Sequence, residues 1–131
     1  MSYDLELIDP VTATVLELDA PHQMQGGTYQ LGGTTKAWLN VTYNYAKHYH
    51  RVFSDRHSDH REATDGVLRG IRTLYGLTGA ESISVLQAAI SQLGDDVTED
   101  YWEGTEGNAK RALTQLLALA QMRPDGVWDG D

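Results

Sequence analysis

Asn40, Asn44, Lys47, His48 and Arg51 follow one another at steps of three or four residues. On a helix that spacing brings side chains within reach of each other. All five donate hydrogen bonds and two carry a fixed positive charge, so the chemistry they suit is capture of a small anion. Arginine is the strongest member of such a set, because its planar fork takes two oxyanion oxygens at once where lysine offers a point charge. Tyr43, Tyr49 and Trp102 add flat rings on which a base-like group can stack. Convergent donors on an aromatic wall are the usual make-up of a small-molecule pocket. The candidate ligand-binding residues are therefore Asn40, Tyr43, Asn44, Lys47, His48, Tyr49, Arg51 and Trp102. The competing reading of the same residues is an ordinary polar helix face beside an aromatic core.

Other chemistries have less to stand on. His48, His50, His57 and His60, with Asp55 and Asp59 nearby, contain His-x-His and His-x-x-His spacings that a zinc or manganese ion can use. The outer pair lies in the stretch SDRHSDHRE, which has no apolar residue to anchor it, whereas metal ligands need rigid support from the groups behind them. Asp125, Asp129 and Asp131 do not match the spacing of a calcium-binding EF-hand loop. The chain has no cysteine, which excludes disulfides, thiolate ligands and cysteine nucleophiles. No G-x-S-x-G, Walker A or G-x-G-x-x-G pattern occurs. The expectation is no catalytic residue, no metal and no cofactor, with a histidine- or metal-dependent hydrolase ranked third among functions.

The donors need a helix to hold them, and residues 34–53 read as one, capped by Thr34 or Thr35 after a hinge at Gly32 and Gly33. Trp38, Thr42, Tyr45, Tyr49 and Val52 then form its inward stripe. Before it, residues 2–8 and 13–18 alternate in polarity and predict an antiparallel hairpin around Pro10, while residues 27–31 suit a third short strand. After it, residues 54–62 predict an exposed loop, and Asp65 opens a weak helix ending at Gly76. Thr78 and Glu81 have the spacing of a capping box, followed by an apolar stripe of Ile83, Leu86, Ile90 and Leu93. Thr105 caps a last helix whose Ala109, Ala112, Leu113, Leu116, Leu117 and Ala120 face inward, and Pro124 stops it. Between those helices residues 95–104 are acidic and carry Tyr101 and Trp102, and Trp128 is expected to dock and hold the end of the chain. The fold class expected is α+β, an N-terminal hairpin or small antiparallel sheet packed on three to four helices, in one domain over residues 1–131.

Charge separates the chain into three parts. Residues 1–20 carry five acids and no base, residues 76–131 ten acids and three bases, and the middle holds seven bases, four acids and all five histidines. A cationic middle suits a small anion, while the net charge of −9 argues against nonspecific nucleic-acid or membrane binding. The longest apolar stretch, residues 112–122, is too short to span a bilayer.

The runs LNVTYNYAKHYHRVF, GIRTLYGLTGAESI and TEGNAKRALTQLLALAQMRPDGVWDGD resemble small, functionally uncharacterised proteins of phages and prophage-bearing bacteria, over most residues after 33. SDRHSDHRE stands as an insertion relative to that pattern, which further weakens a metal site at His57 and His60. The resemblance implies a role in the host cytosol, by analogy with accessory phage proteins that sequester a signalling nucleotide or block a host protein. The first expectation is thus a noncatalytic protein holding a small anionic, nucleotide-like ligand. The alternative is an acidic inhibitor occupying a basic host-protein surface, and self-association is compatible with either.

Overall fold

The first strand, β1 (Ser2–Ile8), buries Tyr3, Leu5 and Leu7 and turns Ser2, Asp4, Glu6 and Ile8 the other way. That alternation lets one face seal a core while the other stays partly wet. The computed structural model describes residues 1–26 and 33–131. In it β1 is the middle of a three-stranded antiparallel sheet, flanked by β4 (Trp38–Thr42) and β7 (Val127–Gly130). Leu5 pairs with Leu39 and Tyr3 with Val41, so the apolar residues of both strands share the core face. Leu7 pairs with Trp128, which is buried and donates through its indole Nε1 to Ser82 Oγ at 2.8 Å.

The expected hairpin forms only at its tip. Asp9 accepts from the backbone N–H groups of Val11 and Thr12, Ala13 adopts φ 60°, and Ile8 bridges Val15. Leu16 N–H still bonds Leu7 O, but beyond it the two segments part, because the buried Ala37 accepts from Leu7 N–H and donates to Leu16 O. The chain continues as β2 (Glu17–His22), which pairs with β3 (Thr34–Lys36). The strand expected over residues 27–31 lies outside the described residues.

The expected helix over residues 34–53 is mostly sheet. Trp38–Thr42 alternates with period two, Leu39 and Val41 inward against Trp38, Asn40 and Thr42, and its β-branched Val41 and Thr42 favour a pleated surface. Thr42 then ends the strand by accepting from Asn44 N–H and opens a 3-10 turn, Tyr43–Tyr45. Only α1 (Ala46–Val52) is helical. The weak helix over residues 65–75 is likewise replaced, by β6 (Val67–Leu68) pairing with β5 (Arg56–His57), and by a 3-10 segment, Gly70–Leu74. Asp65, Gly66 and Gly70 all have positive φ, which no right-handed helix accommodates.

The capped helices form as expected. In α2 (Gly79–Ser91) Thr78 Oγ1 accepts from Glu81 N–H at 3.0 Å while Glu81 accepts from Thr78 N–H at 2.9 Å. In α3 (Glu106–Met122) Thr105 accepts from Asn108 N–H. These two helices pack on one another and on the sheet, giving an α+β architecture. Tyr45, Leu86, Leu113 and Leu116 are buried in the common core, Ile83, Ile90 and Leu117 pack against it, and Trp38 lies on the opposite sheet face. Among the described residues no helix is long and apolar enough to cross a membrane.

Candidate functional site

Because β4 replaces the first half of the expected helix, the donor set divides. Asn40 is buried on the outer sheet face, where its Nδ2 donates to Ser2 Oγ at 2.7 Å and Asp4 Oδ1 at 2.8 Å. Tyr43 sits 4.5 Å from the Tyr3 ring, and Arg72 lies over both rings and donates to the Tyr43 hydroxyl at 3.1 Å. Tyr49 is wholly buried and donates to Ala109 O at 3.0 Å, and burial pushes its phenol well above the ordinary range. Its ring therefore has no free face for a ligand. Lys47 is exposed.

The remaining donors converge on the segment between α2 and α3. Asn44 Nδ2 donates to Trp102 O at 2.6 Å, the Tyr45 hydroxyl to Tyr101 O, and Arg51 Nη2 to Glu106 Oε1 at 2.9 Å. His48 Nε2 lies 2.8 Å from Gly104 O. A carbonyl can only accept, so His48 is held in the tautomer with Nε2 protonated. From the other side the buried Asn108 completes the clasp. Its Nδ2 donates to Thr98 Oγ1, Asp100 O and Glu103 O at 2.9–3.0 Å, and its Oδ1 accepts from Thr98 N–H at 3.0 Å. Gly107 is needed where Asp96 and Val97 cross α3, since a Cβ there would lie 2.4 Å from Val97 N. The carboxylates of Asp96 and Asp100 accept from Gly107 N–H and Trp102 N–H. An irregular acidic loop is thus fastened along its length, and it leaves Val97 53% and Trp102 42% exposed among Asp95, Glu99 and Glu103.

No family model matches the chain, and neither curated proteins nor solved structures give a match.

A second acidic region lies on the outer face of the sheet. Asp4 and Glu6 from β1 line a shallow cavity of about 210 Å³ with Glu62 and Asp131, and Asp129 from β7 pairs with Glu6 beside it. His60 Nε2 bonds Asp129 Oδ1 at 2.7 Å and its Nδ1 accepts from Glu62 N–H at 3.0 Å, so both ring nitrogens are engaged. Arg61 reaches Asp129 and Gly130 O. Burial raises Glu6 above the ordinary carboxylate value, helped by the charges of Asp129 and Asp4. Burial pushes Asp129 the same way, but hydrogen bonds from His60, the Gly130 backbone and Arg61 outweigh it and hold Asp129 low. Among the described residues no three His, Asp or Glu side chains are arranged to hold a metal ion.

Asn108, Arg111 and Gln115 escaped sequence reasoning. They form a polar stripe on α3 at spacings of three and four, beside the apolar stripe of Ala109, Ala112, Leu113 and Leu116. Polar side chains flanking a buried stripe at that period were the available signal.

Proposed function

We propose that this chain is a noncatalytic binding protein that uses the fastened loop, residues 95–104, against a basic protein surface. The observation that carries this reading is an exposed tryptophan whose backbone is bonded by Asn44 and Asp100, in a loop fastened by His48 and Asn108 and within a run of carboxylates. Tryptophan dominates the energetics of many interfaces, and a group ordered before binding loses little entropy when it docks. Surrounding carboxylates draw a cationic partner in and reject an anionic one. Asn44, His48 and Arg51 support this surface from behind, in place of contacting a ligand themselves. Placed in the setting that the phage resemblance implies, the protein acts in the host cytosol, and the partner is a host protein whose basic surface it occupies, as in the blocking of a defence.

The test is affinity capture from host extract, followed by binding of the identified, purified partner. Trp102→Ala should weaken that binding by at least about tenfold. Glu99→Gln with Glu103→Gln should weaken it and reduce its salt sensitivity. Unchanged affinity in both variants would overturn the reading. A second function, retention of a small anionic, nucleotide-like ligand, is favoured by Arg111, whose buried Nε and Nη2 have no hydrogen-bond partner among the described residues.

A further inference from the structure

Arg111 and Gln115 are one turn apart on α3, and together with Asp95, Val97, Gly107, Lys110 and Thr114 they line a cavity of about 330 Å³. Arg111 Nε and Nη2 and Gln115 Oε1 are shielded from water and have no hydrogen-bond partner among the described residues. A buried polar group left unpaired is costly, and more so when charged, so three such atoms on neighbouring turns call for an explanation. Nε and Nη2 are the two nitrogens along one edge of the guanidinium, the edge that grips a pair of oxyanion oxygens side-on. Tyr45 is adjacent: its hydroxyl donates to Tyr101 O, and the Arg111 charge together with a hydrogen bond from the Arg111 guanidinium opposes the rise that burial gives the phenol, while Nε and Nη2 stay without a partner. Asp95, the one acid lining the cavity, is tied to Lys110 at 2.7 Å.

We infer that this cavity binds a small organic oxyanion, a carboxylate or phosphate ester, that also carries a hydrogen-bond donor. The oxyanion takes the Arg111 edge, the donor, a hydroxyl or N–H, takes Gln115 Oε1, and the body of the molecule lies on Val97 and the Thr114 methyl. A cavity of this size lies at the lower end of the range for small-molecule sites, enough for a compact ligand. The inference deepens the second reading above and rests on it, giving the small anion a site on α3 in place of the one expected on α1. It is centred away from Trp102, which is not among the lining residues, and meets the loop 95–104 only at Asp95 and Val97.

The probes are inorganic phosphate, nucleoside monophosphates and hydroxycarboxylates, titrated while the Arg111 Nε–H and the Val97 and Thr114 amide resonances are followed by NMR. Saturable shifts at these positions are expected with at least one organic probe. Arg111→Lys should lower that affinity at least tenfold, and Gln115→Leu should weaken the organic probe while leaving inorganic phosphate unaffected. Arg111→Met should abolish binding while raising the melting temperature, because an apolar chain removes the unpaired donors. A lower melting temperature in Arg111→Met would show that the guanidinium serves the fold, through Tyr45, and would overturn the site. Shifts centred on Lys47 and Arg51 would also overturn it while keeping a small anion as ligand, whereas no saturable shift with any probe would remove both.

Discussion

The two acidic regions of this molecule treat their carboxylates in opposite ways. On the outer face of the sheet, Glu6 and Asp129 are partly buried, and neighbouring charges and hydrogen bonds shift both of them, so their ionisation is part of folding. In the loop between α2 and α3 the backbone is tied down, by Asn44, Tyr45, His48 and Asn108, while Glu99 and Glu103 project into water. Partial burial couples charge to stability, and exposure leaves charge free to act on another molecule. The same residue type therefore carries structure in one place and an interaction surface in the other.

The strongest way to break this contrast is to remove the clasp. Asn108→Ala deletes a buried amide that bonds Thr98, Asp100 and Glu103, and leaves the backbone groups it served to find water or go unpaired. The expected cost is about 2–4 kcal/mol, above that of a single hydrogen bond because several partners share one side chain. Hydrogen exchange should quicken at residues 98–103 while Leu5 and Leu7 in β1 stay protected. Uniform loss of protection would mean that the loop and the sheet are one cooperative unit. By comparison Arg51→Ala, which breaks a half-exposed ion pair with Glu106, should cost no more than about 1 kcal/mol.

What the sequence made legible follows from where information is local. The capping box at Thr78 and Glu81 and the Thr105 cap with its apolar stripe identify α2 and α3, because caps and period are both contained in a short window. The alternation of β1 was legible for the same reason, but its partners were not. The polar alternation of residues 13–18 suited a hairpin, and only the approach of Ala37 in three dimensions gave those backbone bonds to another strand. In residues 34–53, helical spacing and strand alternation compete over the same apolar positions, and the sheet prevails through Thr42 because β1 offers Leu5 and Tyr3 as partners for Leu39 and Val41. That single substitution of strand for helix separated Asn40 from Asn44 and Tyr43 from the rest of the expected site. The clasp itself is made mainly of side chains bonded to distant carbonyls, which no local pattern announces.

A middle-sized effect distinguishes the regions by pH. Glu6 has a folded pKa raised from its ordinary 4.5, so the native state takes up its proton before the unfolded chain does. Its contribution to stability is fully present below the unfolded value and is lost as pH rises through the folded one. Asp129 has a folded pKa lowered from its ordinary 3.8, so its contribution is present above that value and is lost as pH falls through the folded one. On mild acidification stability should therefore hold or rise through Glu6, and in stronger acid it should fall through Asp129, by up to about 1 kcal/mol each after solvent screening. Melts across pH check this. Glu6→Gln should be more stable than the parent at neutral pH and lose the rise in mild acid, while Asp129→Asn should be less stable at neutral pH and flatter below it. A parent-like profile in Glu6→Gln would place the charge coupling of the sheet face elsewhere.

The exposed carboxylates of the loop should matter least to folding. Glu99 and Glu103 are exposed, and the carboxylates that brace the loop are others, those of Asp96 and Asp100. Surface changes away from caps, cores and buried networks usually stay within about 0.5 kcal/mol. The double change Glu99→Gln and Glu103→Gln should therefore leave thermal stability within that margin at any pH where the parent is folded, and remove two negative charges from the region around Trp102. Asp96→Asn and Asp100→Asn should instead destabilise the loop modestly, since a neutral amide is a weaker acceptor than a carboxylate for Gly107 N–H and Trp102 N–H. Thermal melts of the two pairs separate charge that builds the surface from charge that the surface displays. If Glu99 and Glu103 prove as costly to neutralise as Asp96 and Asp100, the loop carboxylates belong to the fold as those of the sheet face do, and the division between the two regions fails.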